Sequence, residues 1–146
     1  MKKILLTAAG IVLTVSVMAQ DIKSTAVPEP VKAALKAKYP EAAKVSWEKE
    51  KGNYEANWGG KSGEDNSVMF TPAGVFIEIV KAISVNDLPK AVAPYVAAHY
   101  KGAKIKEAGL VTNAAHKVTY EAEVKGGDLI FDEKGNFIKR INCPTR

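Results

Sequence analysis

The side chains that most often carry catalysis are scarce in this sequence. It has two histidines, His99 and His116, and a single cysteine, Cys143. Neither histidine has a nucleophile at a recognisable motif spacing, and catalysis needs an assembled set of groups. Gly60-Lys61-Ser62 ends like a phosphate-binding loop, but Glu55 stands where that motif requires its first glycine. We therefore expect no catalytic residues; a hydrolase would need a cleft that joins a histidine to an acid and a nucleophile.

Oxygen atoms are the one set of metal ligands that the sequence offers, since it lacks the cysteine and histidine spacing of a zinc site. Acidic residues occur in two predicted loops, and calcium is held by carboxylate oxygens in loops. Their spacing matches no EF-hand, and Asp and Asn are also favoured in ordinary turns. Calcium is therefore the alternative prediction to having no cofactor, with the candidate ligands Glu64, Asp65, Asp128 and Asp132.

Aromatic and polar side chains on predicted strands suggest a binding surface. Trp and Tyr are enriched at interface hot spots, but strand alternation places most of these rings on the core-facing side. Trp58 borders a glycine-rich loop, so we expect it to be partly exposed. The opposite side of the sheet is polar and is either a docking surface or a plain solvated face. The candidate partner-binding residues are Trp58, Glu55, Asn57, Thr119 and Glu121.

The sequence repeats the segments that are expected to form the helices and strands holding these residues. The segment 27–42 returns as 88–103, which is 61 positions later. Tyr54-Glu55-Ala56 recurs as Tyr120-Glu121-Ala122, and Phe70 with Gly74 recurs as Phe131 with Gly135. Self-similarity at a fixed period indicates repeated supersecondary units.

Each repeat changes from helical to strand periodicity. Apolar residues at helical spacing predict helices within 28–39 and 89–100, the second capped by Ser84 or Asp87. Alternation then predicts two hairpins in each unit, with a bulge at Gly109. The predicted fold class is α+β, with two tandem units of one helix and a four-stranded antiparallel sheet. These units cover 27–84 and 85–146 and follow a polar linker at 20–26.

The N-terminus is typical of a secretory signal peptide. A short basic start precedes an apolar stretch, and small residues precede a cleavage point after Ala19. We therefore predict a signal peptide at 1–19, a periplasmic or secreted protein, and no membrane span after cleavage. Removing Lys2 and Lys3 lowers the formal charge from +5 to +3. The remaining charges are interspersed, whereas a nucleic-acid binder shows a basic stripe, so we expect no nucleic-acid partner.

The repeated residues resemble those of the PepSY-like family of exported bacterial proteins, which is also described as beta-lactamase-inhibitor-protein-like. The resemblance implies a fold used for protein binding and protease inhibition, with no family catalytic residue to carry over. We therefore expect a non-enzymatic binding module with an unknown protein partner, an envelope protease being one candidate. A calcium- or small-ligand-binding envelope protein is the alternative. The resemblance rests on Val27, Pro28, Val31, Leu35, Tyr39, Pro40, Ala42, Trp47, Tyr54, Glu55, Leu88, Pro89, Tyr100, Gly102, Ala103, Tyr120, Glu121, Phe131 and Gly135.

Overall fold

The computed structural model describes residues 20–142. In this part of the chain, nine strands form a single antiparallel sheet in chain order, with two α-helices inserted between strands. The predicted signal peptide at 1–19 and Cys143 lie outside the described residues. The helices are α1 Glu29–Lys38 and α2 Val92–His99, and the strands are β1 Gln20–Ile22, β2 Ser46–Glu50, β3 Asn53–Trp58, β4 Asn66–Phe70, β5 Phe76–Ile83, β6 Ala108–Asn113, β7 Val118–Val124, β8 Gly127–Phe131 and β9 Phe137–Ile141.

The helix boundaries follow from proline placement. Pro30 lies in the first turn of α1, where its missing N–H would have no partner anyway. α2 begins at Val92 rather than at the predicted Pro89, because Pro89-Lys90-Ala91 forms a turn in which the Val92 N–H donates to the Pro89 carbonyl at 2.9 Å. Ser84 caps the short 3₁₀ helix Val85–Asp87 through the Asn86 N–H, and not α2. Within residues 20–142, neither helix has the length and apolar character needed to cross a bilayer.

Both helices cover the same face of the sheet, each over the strands of its own repeat. Val31 and Leu35 of α1 are buried in one apolar cluster with strand residues such as Val68. Val92 and Val96 of α2 are buried in a second cluster with the corresponding strands. The predicted fold class, two tandem helix-plus-sheet units, is therefore confirmed.

The two units are joined into one sheet by the pairing of β5 with β6. Val80 lies opposite Val111, and the register continues over six residue pairs from Glu78 to Ile83. A unit of this size buries too little surface to be robust alone, and the shared sheet gives the two repeats a common framework.

Two details of the predicted strands differ from the structure. Gln20–Ile22, expected in a polar linker, form β1 and pair with β2. The bulge expected at Gly109 is absent, because the registers of β6 with β5 and β7 run through Gly109 without a shift. A Cβ at Gly109 would lie 2.8 Å from Cγ1 of Val80, so glycine permits a close contact here instead of a bulge.

The bulges occur at equivalent positions of the two repeats. The register shifts between Met69 and Phe70 and again between Ile130 and Phe131. The extra residues on the partner strands are Ile77 and Ile138. Because a bulge reverses the alternation of its strand, each shift determines which side chains of β5 and β9 face away from the helices.

Candidate functional site

The sheet has one face that neither helix covers in the described chain, and we call it the open face. Residues paired directly across antiparallel strands lie on the same face, so the registers define its members. The central members, in order from β3 to β9, are Glu55, Asn57, Ser67, Met69, Glu78, Val80, Gly109, Val111, Thr119, Glu121, Ile130 and Lys139.

The repeat places glutamates at matching positions of the open face. Glu55 of β3 and Glu121 of β7 are equivalent in the two copies, and Glu78 of β5 lies between their strands. Within residues 20–142, the ion pairs join Lys32 to Glu29, Lys51 to Glu50 and Lys106 to Glu123. None joins a lysine or arginine to the three central glutamates Glu55, Glu78 and Glu121.

Glu121 has the most strongly shifted pKa of the three central glutamates. Desolvation by burial, followed by the negative charges of Asp128, Glu78 and Glu55, raises its pKa to about 7, while Lys139 opposes the shift. A carboxyl group with this pKa is partly protonated near neutral pH. The open face therefore contains a group whose charge responds to its immediate environment.

Glu55 lies in a related setting. Burial raises its pKa, and the negative charges of Glu48, Glu50 and Glu78 act in the same direction. The Ser67 hydroxyl donates a hydrogen bond to Oε1 of Glu55 and opposes the rise. Both repeats thus keep a half-buried carboxyl group on the open face.

Two depressions flank Glu121, and it lines both of them. The acidic depression, of about 140 Å³, is bordered by carboxylates and has Val80, Ala82 and Gly109 among its apolar lining. The edge groove, of about 240 Å³, is lined by Val111 and Ile130 and reaches the outermost strand. The carboxylates of the acidic depression are Glu64, Glu107, Glu121, Glu123 and Asp128.

The edge groove ends at exposed apolar side chains. Ile138 is 46% exposed and Ile141 is 39% exposed, and both border the groove on β9. Val111 and Ile130 are buried although they belong to the open face. The open face therefore combines apolar lining with acidic groups and is not a uniformly solvated polar surface.

The structure brings four of the five predicted partner-binding residues together. Glu55, Asn57, Thr119 and Glu121 all belong to the open face, and Asn57 pairs with Ser67 at its centre. Their role in binding stays a prediction. Glu78, Val111 and Ile130 were missed, because the bulge reversed the alternation of β5 and because apolar strand residues were assigned to the core. The repeat offset of 61 positions aligns Glu78 with Lys139 of the second repeat. Because Lys139 also lies on the open face, this equivalence was an indication in the sequence for Glu78.

Trp58 does not belong to the open face, and the expectation that it is partly exposed is wrong. Its side chain is 5% exposed and lies in the first core cluster. Its ring packs on Tyr39, with ring centroids 5.4 Å apart. Alternation along β3 puts Trp58 on the helix-covered side, and the adjoining loop does not change that.

The predicted calcium ligands lie in three different places. Glu64 and Asp128 both line the acidic depression. The Asp65 carboxylate lies against the backbone of Gly60, where a Cβ would overlap it. Within residues 20–142, no group of three or more His, Cys, Asp or Glu side chains is arranged to hold a metal ion.

Asp132 is used in the turn between β8 and β9. Its Oδ1 accepts hydrogen bonds from the backbone N–H groups of Lys134 and Asn136 at 2.9 and 2.8 Å. Oδ2 accepts a further bond from the Asn136 side chain at 2.8 Å. The Asn136 hydrogen bonds are the main cause that lowers the pKa of Asp132. This carboxylate therefore has a structural role in the turn.

The two histidines are exposed, and in the described chain neither has the partners of a catalytic set. The His99 ring stacks on Tyr95, and its Nδ1 lies 2.9 Å from the Tyr95 carbonyl oxygen. His116 occupies a turn with a φ of +59°. Within residues 20–142, neither imidazole is hydrogen-bonded to a carboxylate or a hydroxyl group.

The class of this protein is defined by two helix-plus-sheet repeats that share one antiparallel sheet, with one face that neither helix covers within residues 20–142. A family model described as "Putative beta-lactamase-inhibitor-like, PepSY-like" matches residues 4–78 and again residues 58–139. The chain therefore belongs to the PepSY-like family, as the resemblance of its repeated residues predicted.

Solved structures from Bacteroides species have the same fold. A "putative periplasmic" protein from Bacteroides eggerthii is 24% identical, with a TM-score of 0.66, covering 80% of this chain and 88% of that one. A DUF2874 family protein from Bacteroides uniformis is 25% identical, with a TM-score of 0.65 and coverages of 79% and 88%. A BLIP-like protein from Bacteroides fragilis is 22% identical, with a TM-score of 0.59 and coverages of 79% and 86%. The predicted periplasmic location agrees with the first description.

A comparison with curated proteins found no match.

Proposed function

We propose that this protein is an exported binding module that holds a partner protein on its open face. The observation that carries the proposal is the lining of that face. Exposed apolar residues, Ile138 and Ile141, border the edge groove beside the half-buried Glu121, on a surface with no covering helix in the described chain. Protein interfaces combine an apolar centre with a polar rim, and this face offers both kinds of group.

Membership of the PepSY-like family also supports a protein-binding function, without indicating the partner. Its description refers to an inhibitor protein, which acts by binding another protein. An envelope protease is the partner class to test first. Purified protein added to an envelope fraction should slow cleavage of a fluorescent casein substrate, and unchanged cleavage rates at saturating protein would remove the protease version.

Site-specific photo-crosslinking tests the open face directly. A photoreactive amino acid at Thr119 should capture a discrete partner in the native cells. The matched control is Ala97, which is exposed on α2 on the other side of the sheet. Equal products from both positions, or none from Thr119, would contradict binding through the open face.

Binding of the captured protein should then be measured with purified components. Thr119→Arg introduces bulk and charge at the centre of the open face and should weaken binding by about tenfold or more, since a buried interfacial position tolerates such a change poorly. Ala97→Arg should leave binding within about twofold.

The alternative function is calcium or small-ligand binding. It is supported by the position of Glu64 and Asp128, which line the same acidic depression. Calorimetric titration with calcium decides it, because a bound ion produces heat and raises the melting temperature through linkage. No heat and no change in melting temperature would remove the calcium version.

A further inference from the structure

The open face is acidic, whereas the protein as a whole is basic. The whole sequence has a formal net charge of +5, and α1 alone carries Lys32, Lys36 and Lys38. On the open face, acidic groups extend across the sheet from β2 to β8. They are Glu48, Glu55, Glu78, Glu121, Glu123 and Asp128. Lys106 pairs with Glu123, and Lys117 and Lys139 border the edge groove.

Two of the three central glutamates are also poorly solvated. Glu55 and Glu121 lose hydration to their surroundings and face other carboxylates, which disfavours their charged forms. In the described chain, no cation pairs directly with them. A partner's positive group would relieve this repulsion, because an opposite charge nearby stabilises an ionised carboxylate.

Apolar surface lies next to these charges. Val80 and Ala82 line the acidic depression, and Ile138 and Ile141 extend the edge groove to the outer strand. The site therefore offers apolar contact within reach of the acidic groups.

We propose that the partner presents a basic surface, with arginine or lysine side chains that meet Glu55, Glu78 and Glu121 and apolar side chains that meet Val80 and the edge groove. This inference rests on the proposed function and specifies the chemistry of the partner. Arginine fits best, because its guanidinium is weakly hydrated and bonds a carboxylate through two donors.

Synthetic peptides of equal length and alternating sequence provide the probes: Arg-Val, Gln-Val and Glu-Val. Binding to the full mature chain is measured by fluorescence anisotropy. The Arg-Val peptide should bind at least about tenfold more tightly than the Gln-Val peptide, and the Glu-Val peptide should not bind. Equal binding of the Arg-Val and Gln-Val peptides, or no binding of the Arg-Val peptide, would overturn the inference.

A pair of variants with equal net charge separates the open face from general electrostatics. The combined variant Glu55→Gln, Glu78→Gln, Glu121→Gln should weaken Arg-Val binding by about tenfold or more. The control combines Glu29→Gln, Glu41→Gln and Glu133→Gln, which are exposed positions outside the open face, and should bind within about twofold of the natural chain. An equal loss in both variants would show non-specific attraction and overturn the inference.

Proton release gives an independent readout. Calorimetry of Arg-Val binding near pH 7, repeated in buffers with different ionisation enthalpies, should show protons leaving the complex, because a cation beside Glu121 favours its ionised form. No proton release would exclude the contact with Glu121.

The outcomes distinguish this inference from the proposed function. Capture from Thr119 that is unaffected by the combined Gln variant would leave the binding module in place and reject a basic partner. Sedimentation of the protein alone tests the competing occupant, a second copy. A dimer that the combined Gln variant dissociates would assign the open face to self-association and overturn the inference.

Discussion

Val80 of β5 lies directly opposite Val111 of β6, at the only strand pairing that connects the two repeats within residues 20–142. The pairing of β5 with β6, to which these two residues belong, joins two small units into one sheet. It also places the acidic groups of both repeats, Glu55 and Glu121, on one continuous surface.

The shared sheet predicts cooperative unfolding. Both tryptophans, Trp47 and Trp58, belong to the first repeat, so tryptophan fluorescence reports on that repeat alone. Far-ultraviolet circular dichroism reports on both. Urea unfolding should give the same midpoint by both methods, as expected for a two-state transition. Separate midpoints would mean that the β5–β6 pairing does not couple the repeats.

The raised pKa of Glu121 predicts that stability falls as pH rises. The folded protein holds this proton up to a pKa of about 7, whereas the unfolded chain releases it near the ordinary glutamate pKa of 4.5. The contribution of Glu121 to the free energy of unfolding is therefore fully present below pH 4.5. It is lost as the pH rises from 4.5 through about 7. Glu121→Gln should stabilise the protein at pH 8 by roughly 1–3 kcal/mol and have little effect below pH 4.5.

Urea unfolding at both pH values measures the effect. The charges of Glu55, Glu78, Asp128 and Lys139 act on Glu121, so the comparison is made between the variant and the natural chain at each pH. Glu133→Gln, exposed in the β8–β9 turn, is the control. A Glu121→Gln effect of equal size at both pH values would contradict the assignment.

The turn glycines predict a graded loss of stability. Gly74 has a φ of +78°, and a Cβ there would overlap the Pro30 carbonyl at the start of α1. Gly74→Ala should cost roughly 2–4 kcal/mol, since backbone strain adds to steric overlap. Gly52 has a φ of +86° with no atom within 4 Å of its Cβ position, so Gly52→Ala should cost roughly 1 kcal/mol.

The equivalent glycine of the second repeat should behave like Gly74. A Cβ at Gly135 would lie 2.9 Å from Cβ of Pro89 and 3.1 Å from Cβ of Ala91. Thermal unfolding of the Gly52, Gly74 and Gly135 alanine variants checks the order. Equal losses at all three positions would show that only φ matters and that the turn-to-helix contact contributes nothing.

The burial of Trp58 predicts a structural and not a binding role. Trp58→Ala should lower the free energy of unfolding by roughly 3–5 kcal/mol, as for other large buried rings. Val75→Ala, at a side chain that is 61% exposed, should change it by less than about 0.5 kcal/mol.

The milder variant Trp58→Phe separates folding from binding. It keeps a ring against Tyr39 and should leave photo-capture from Thr119 unchanged. Loss of photo-capture from Thr119 in a folded Trp58→Phe variant would contradict this prediction and show that Trp58 contributes to binding.

Much of the fold was predictable because the sequence states it twice. The repeated Tyr-Glu-Ala segments predicted equivalent strands, and the repeated Phe and Gly positions predicted equivalent hairpins. The same alternation correctly placed Glu55, Asn57, Thr119 and Glu121 on one side of the sheet. Local periodicity was sufficient here because each strand alternates between one covered and one uncovered face.

The tertiary structure alone decided how these faces combine. The pairing of β5 with β6 is a long-range contact with no local signature, so the sequence left open whether the two sheets join. The bulge at Ile77 reversed the phase of β5 and brought Glu78 to the open face. The ring that packs on Trp58, that of Tyr39, likewise comes from a distant segment of the chain. The sequence by itself determined the repeat and the alternation, whereas packing between distant segments determined which repeated carboxylates share one poorly solvated surface.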